Sequence, residues 1–326
     1  MENLNVLEFE QQLAELDKTL ENLDRAAARE NRPDAAAEAR KIREERDAYL
    51  RLFFERLQPW DRVLLARHKD RPYTLDYVPL LTESFTELSG DRLFGDDGAL
   101  VGGFASIAGR SVLLIGQQKG RDIKERQKRN FGYVRPEGYR KALRLMQMAA
   151  RFTRPIVSLV DTPGADPNVP SEERGISEAI ARNLREMAAL RTPTLAVVIG
   201  EGGSGGALGI AVCDRVLMLE HSIYSVIAPE GCAAILWRDS TRGADAAKAM
   251  RVTAKDALTL GLIDEVIPEP LGGAHRGAEA TAAAVRDAVT RHLDELTALP
   301  IPELLKRRHA RLRSFGRVQE IAVSVK

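Results

Sequence analysis

Residues 194–206 read Thr194-Leu195-Ala196-Val197-Val198-Ile199-Gly200-Glu201-Gly202-Gly203-Ser204-Gly205-Gly206. A short apolar run of β-type residues enters a stretch in which five of seven residues are glycine. Ala207-Leu208-Gly209-Ile210 beyond it continues as a short helix. Strand, glycine loop and helix in that order mark an α/β unit. Outward from this unit the same alternation recurs. Residues 156–160 are a β-run ending at Asp161-Thr162-Pro163-Gly164, residues 171–190 read as one long helix, and residues 215–220 read as the next strand. Upstream, residues 99–108 and 111–117 are apolar β-runs split by Gly109-Arg110, which predicts a hairpin. Residues 138–152 follow as a helix, and helices over about 277–296 and 302–315 close the chain.

The first 58 residues differ in character. Leu4, Leu7, Leu13, Leu16, Leu20 and Leu23 recur mostly at steps of three and four, the period of an amphipathic helix. Asn31-Arg32-Pro33-Asp34 interrupts the pattern, because the residue before proline is pushed out of the α region. A second helix over about 35–57 carries Ile42, Tyr49, Leu50 and Phe53 on its apolar side. The pair predicts a helical hairpin whose apolar stripe needs cover, either from its own domain or from a partner subunit.

Composition narrows the function classes. The 326 residues carry 48 Lys and Arg against 47 Asp and Glu, a formal charge of +1, so no basic excess points to nucleic acid. Two cysteines, Cys213 and Cys232, are too few for a four-cysteine zinc site or a secreted disulfide framework. The apolar runs 112–115 and 207–213 fall far short of the ~20 residues of a membrane span. Residues 1–10 carry acids and no basic n-region, so a signal peptide is not expected. The expectation is a soluble, cytoplasmic, globular chain.

The glycine stretch satisfies three patterns. Gly200, Gly202 and Gly205 spell G-x-G-x-x-G, with Glu220 twenty residues after Gly200 as a candidate ribose-binding acid. That motif opens the first βαβ unit of its domain, whereas here it lies about 100 residues into the α/β region. Gly202, Ser204 and Gly206 also fit G-x-S-x-G, with Asp264 and His275 following in hydrolase order. His275 sits in a glycine-rich loop with no positional reason to reach Ser204. The third pattern is an oxyanion hole: the N–H groups of Gly205 and Gly206 at a helix start would hold a developing anion. Preorganised donors of this kind contribute about 3–4 kcal/mol each to lowering a barrier. This pattern needs backbone alone, which suits the stretch. A tight strand–helix turn would explain one or two of the glycines without any function.

Residues 253–266, Thr253-Ala254-Lys255-Asp256-Ala257-Leu258-Thr259-Leu260-Gly261-Leu262-Ile263-Asp264-Glu265-Val266, resemble a crotonase-superfamily signature. The longer motifs Arg67-His68 with Arg71-Pro72-Tyr73-Thr74-Leu75-Asp76-Tyr77, Gly116-Gln117-Gln118-Lys119-Gly120-Arg121, and Pro136-Glu137-Gly138-Tyr139-Arg140-Lys141-Ala142 narrow the match. So do Arg129-Asn130-Phe131-Gly132, Glu172-Glu173-Arg174-Gly175, residues 224–232 and residues 268–276. Together they resemble the carboxyltransferase alpha-subunit family of bacterial acetyl-CoA carboxylase, over about residues 4–316.

The resemblance implies a crotonase-like ββα superhelix at 59–316, an N-terminal helical extension at 1–58 and a tail at 317–326. It implies a half-enzyme in an α2β2 assembly whose beta subunit carries a zinc ribbon and most of the coenzyme A site, so zinc is expected there and no metal in this chain. Carboxybiotin, borne on a biotin carboxyl carrier protein and charged by biotin carboxylase, would be the co-substrate. Acetyl-CoA would become malonyl-CoA, the first committed step of fatty acid synthesis. Gly205 and Gly206 would then be this subunit's oxyanion donors, with Gly164 and Ala165, after the preceding strand, as second donors.

The remaining candidates divide by chemistry. Lys119 and Arg121 are candidate contacts for substrate or carrier. They open a basic stretch in which Asp122–Arg126 and Glu125–Arg129 have the spacing of surface ion pairs. Glu230 and Asp161 read as structural carboxylates, and Cys213 as a small buried hydrophobe. Arg307, Arg308, Arg311 and Arg313 read as the polar face of the last helix. His68, His221, His275, His292 and His309 have no metal-ligand spacing.

Overall fold

A computed structural model describes residues 6–30 and 33–316. The hairpin comes first in the sheet. β1 (Ser84–Glu87), β2 (Leu100–Ile107) and β3 (Arg110–Gln117) are antiparallel neighbours. Ile107 pairs with Arg110, so the loop is Ala108-Gly109, one residue earlier than the sequence suggests. Both loop residues have positive φ, 49° and 72°, as a two-residue hairpin turn requires. From β3 the sheet continues in parallel through β4 (Ile156–Thr162), β5 (Thr194–Gly203), β6 (Arg215–Leu219) and β8 (Glu265–Ile267), while the short β7 (Ile223–Ser225) pairs with the far end of β5.

Parallel strands covered on both faces read as continuous apolar runs, and their side chains still alternate. Ala196 and Val198 of β5 join one core with Leu145, Met146 and Ile210. Leu195, Val197 and Ile199 face the other way, into a second core with Tyr77, Val285 and Leu293. Helices Pro136–Arg151, Ile176–Ala189 and Ser204–Ala211 therefore cover one face, and Thr74–Leu81 with Ala278–Thr297 the other.

Three local readings change. The single helix expected over 171–190 is two, Val169–Glu173 and Ile176–Ala189, because Gly175 between them takes the left-handed φ of 78° that only glycine adopts freely. The expected glycine loop is largely strand: β5 runs on to Gly203, with Glu201, Gly202 and Gly203 paired to β7 and Gly202 to Thr162 of β4. Arg308, expected on the polar face of the last helix, is fully buried. Its guanidinium grips Asp214 at 2.7 and 2.8 Å and donates to the carbonyls of Met187, Leu190 and Thr192. A fork of five donors can be buried when each finds an acceptor.

The N-terminal helices Val6–Glu30 and Pro33–Phe54 pack through Phe9, Leu13 and Leu50, and the rings of Phe9 and Phe53 stack at 3.6 Å. Leu4, the break at Asn31-Arg32 and the tail 317–326 lie outside the described residues. The hairpin lies on the body of its own chain: Asp17 meets Arg276 at 2.7 Å and Phe54 meets the His221 ring at 5.2 Å. Among the described residues no helix is long and apolar enough to cross a membrane.

Candidate active site

The glycines of 200–206 do separate jobs, visible in what a Cβ would strike. At Gly200 it would lie 2.4 Å from the Asp161 carboxylate, at Gly202 2.6 Å from the Tyr224 ring, and at Gly203 2.3 Å from the Pro163 carbonyl oxygen. These three keep β5 pressed against its neighbours, as the packing explanation requires. At Gly206 the Cβ would sit 2.5 Å from the carbonyl carbon of Gly164 and 2.6 Å from the amide nitrogen of Ala165. The two pairs singled out in the sequence, Gly205-Gly206 and Gly164-Ala165, are thus brought together. Gly205 has nothing nearer than Ile180 at 3.9 Å, so packing does not demand a glycine there.

The helix Ser204–Ala211 starts at this junction, and no side chain caps its first turn. Its opening N–H groups and the positive end of its dipole form a donor site at the chain's surface edge, where Ser204 is exposed and Gly205 half-buried. The carbonyl of Gly206 is fixed from behind by Gln117 Nε2 at 2.8 Å and by the Tyr139 hydroxyl at 3.1 Å. Asn183 donates to the carbonyls of Tyr139 and Gly209 and holds the helix one turn further on. On the facing loop, the Gly164 N–H is donated to Thr162 Oγ1 at 3.1 Å. Gln117, Tyr139 and Asn183 were not singled out from sequence. The signal was present as long polar side chains at buried positions, where every such group needs a partner.

Beside the glycines lies a buried charge network. Lys119 Nζ meets Asp161 at 2.8 Å and Glu201 at 2.7 Å, and Arg67 bridges Glu201 at 2.6 Å and Glu230 at 2.5 Å. Asp161 also accepts the Glu201 N–H at 2.9 Å and so braces β5 against β4. Burial pushes the Glu201 carboxyl up, but the charges of Lys119 and Arg67 outweigh it and hold the group at about 2. Burial likewise opposes the charge on Lys119, and its two carboxylates more than restore it, so its pKa is raised. Arg121 stands apart from this network. It pairs with Asp76, donates to the Lys69 carbonyl at 2.9 Å, covers the Tyr73 ring at 4.8 Å and remains partly exposed. The surface ion pairs expected after it do not form. Asp122 instead caps the short helix Ile123–Lys128, and Arg126 and Arg129 donate to the carbonyls of Gly120 and Gly98.

Two cavities flank the helix start. One, of about 360 Å³ and largely apolar, is lined by Ser204, Gly205, Leu208, Tyr224, Arg311 and Phe315. The other, of about 180 Å³ and more polar, is lined by Arg67, Tyr73, Lys119, Arg126, Phe131 and Pro163. The hydrolase pattern does not assemble: Asp264 accepts from the Val216 N–H and Arg311, and His275 contacts Glu10 and His68. Among the described residues neither is hydrogen-bonded to Ser204. Cys213 is a buried hydrophobe as expected, its thiol pushed up to about 12 by burial, and neither cysteine is in a disulfide.

Residues 6–316 match the family described as acetyl co-enzyme A carboxylase carboxyltransferase-like. The chain belongs to this carboxyltransferase alpha-subunit family. It is 54% identical over 314 residues to the acetyl-coenzyme A carboxylase carboxyl transferase subunit alpha of Geobacter metallireducens, covering 96% of this chain and 98% of that protein. The fold is also similar to that of transcarboxylase 12S, solved with methylmalonyl-coenzyme A and methylmalonic acid bound. That likeness has a TM-score of 0.58 at 21% identity and covers 72% of this chain but only 44% of the other. A Pseudomonas malonate decarboxylase hetero-tetramer, solved with coenzyme A, gives a TM-score of 0.56 at 22% identity, covering 73% of this chain and 95% of that one. These likenesses place the chain in the crotonase-like fold.

Proposed function

We propose that the N–H groups of Gly205 and Gly206, with Ala165 facing them, are this subunit's oxyanion donors in carboxyl transfer from carboxybiotin to acetyl-CoA. The observation that carries the reading is the backbone contact of Gly206 with Gly164-Ala165 at an uncapped helix start. In the reaction, carboxybiotin releases CO2 and leaves a ureido anion. That anion takes a proton from the acetyl methyl group, and the resulting enolate attacks CO2 to give malonyl-CoA. Two oxyanions, ureido and enolate, develop along this path, and donors fixed before reaction stabilise such charge without reorganisation. One donor set comes from each subunit, so the beta subunit, with its zinc ribbon, completes a site that this chain builds in half. Arg121, on the polar rim over Tyr73, meets an anionic group of substrate or carrier. Lys119 is spent on Asp161 and Glu201 and positions the strand ends instead.

The test is co-expression with a beta subunit and an assay of malonyl-CoA decarboxylation in the presence of a biotin analogue. The pair is expected to turn over and the chain alone to be inactive. Activity of the lone chain, or none in a well-assembled pair, overturns the division of labour.

A further inference from the structure

We infer that Glu10, His68 and His275 form a zinc-type metal site that ties the N-terminal helical hairpin to the body of the chain. The three residues lie far apart in sequence, which is why histidine spacing gave no sign of them. The fold places one ligand atom from each within 4.8 Å of the others. His275 Nε2 stands 3.1 Å from Glu10 Oε1, and the His68 and His275 rings lie 4.1 Å apart. Two ligand atoms bound at about 2.0–2.1 Å to a tetrahedral ion are about 3.3 Å apart, so the Glu10–His275 pair already has the spacing of a chelate. His68 offers the third ligand atom, a ring nitrogen, within the same 4.8 Å, and its ring must turn inward to reach the ion.

The chemistry of the set suits zinc. Two imidazoles and a carboxylate are a three-ligand zinc set that leaves a fourth position for water. Both ends of the pair are shielded, with side-chain exposure of 4% for His275 and 15% for Glu10. Arg276 is the opposing charge: it meets Glu10 Oε2 at 3.2 Å, but Asp17 at 2.7 Å neutralises it and leaves Oε1 to face the histidines.

The test uses the full chain, stripped with chelator and carrying Cys232→Ser to remove the accessible thiol. Zn2+ is titrated calorimetrically, and Co2+ is followed by visible absorption. Saturable one-to-one binding is expected, with a Co2+ band of tetrahedral intensity. His68→Ala with His275→Ala, and separately Glu10→Gln, should each weaken binding by more than about tenfold. Zn2+ should raise the melting temperature of the parent and not of the double variant. X-ray absorption at the zinc edge of the parent needs no variant to fold, and is expected to show nitrogen and oxygen ligands only. No binding by the parent, unchanged binding by the variants, or a sulfur shell overturns the assignment.

Discussion

Gly206 and Gly164 meet backbone to backbone, with the space for a Cβ on Gly206 filled by the carbonyl carbon of Gly164 at 2.5 Å. A methyl group there must push the helix start away from the 163–165 loop, because neither neighbour is a side chain that can swing aside. Gly206→Ala is therefore expected to lower kcat by about 100- to 1,000-fold, the effect of losing one well-placed oxyanion donor. Gly205→Ala faces open space, keeps its N–H and should retain most of the activity. The check is carboxyl transfer by variants assembled with the beta subunit, with assembly verified by gel filtration. Equal losses in the two variants would mean that the contact with Gly164 does not set the donor geometry.

Lys119 and Arg121 are separated by one residue in sequence and by their surroundings in the fold. Lys119→Met leaves Asp161 without its cation in a buried site and Glu201 with Arg67 alone, and is expected to cost about 3–5 kcal/mol of stability, read from urea unfolding. Arg121→Ala, at a partly exposed pair, should cost less than about 1 kcal/mol. Its effect belongs in binding instead, as a rise of about fivefold in KM for acetyl-CoA or the carrier with kcat unchanged, the size of one exposed charge contact. A stability loss for Arg121→Ala matching that of Lys119→Met would contradict the assignment.

Much of this architecture was legible because the signals were local. Apolar runs mark β3 to β6, and glycine followed by a short helix marks the oxyanion candidate. What stayed hidden depends on contacts remote in sequence. The glycines of 200–203 read as a loop, since nothing in the sequence says that β7 will pair with them or that Asp161 and Tyr224 will fill their missing side chains. Arg308 read as surface because arginine in a basic helix usually is. Its burial follows from Asp214, 94 positions away, and three carbonyl groups at the edge of β5 and the preceding helix. Gln117 and Tyr139 were quoted as parts of longer motifs, and only the fold reveals that both hold the Gly206 carbonyl.

Acid should weaken the fold through two buried carboxylates. Glu269 pairs with buried Arg71 at 2.6 and 3.0 Å, and like Glu201 it is held at about 2 against an ordinary 4.5. Burial alone would raise both, but the adjacent cations dominate. Because the folded pKa is depressed, the unfolded chain takes up more protons as pH falls from about 4.5 toward 2. The stability they contribute is therefore complete above that window and lost within it, with a slope of about 1.4 kcal/mol per pH unit for each linked proton. Urea midpoints measured from pH 7 to pH 3 should be level at first and then fall. A midpoint unchanged down to pH 3 would exclude this linkage.

Arg308 sets how the last helix is attached. Its guanidinium joins Asp214, which itself accepts from the N–H and hydroxyl of Thr194 at the start of β5, so one carboxylate anchors both helix Ile301–Ser314 and the central strand. Arg308→Met removes the cation and leaves Asp214 with a charge that only Thr194 partners, along with three carbonyls stripped of a donor. Loss of one partner of a buried pair costs about 3–5 kcal/mol, so the variant should unfold at markedly lower urea. Arg307, three-fifths exposed and paired among the described residues with Glu303 a turn earlier, is the matched control, and Arg307→Met should change stability by less than about 1 kcal/mol. The apolar cavity beside Gly205 is walled by Leu312 and Phe315 of the same region, so loosening the anchor should also reduce carboxyl transfer. Arg308→Met with unaltered unfolding would show that the helix is held by Leu304 and its apolar neighbours instead.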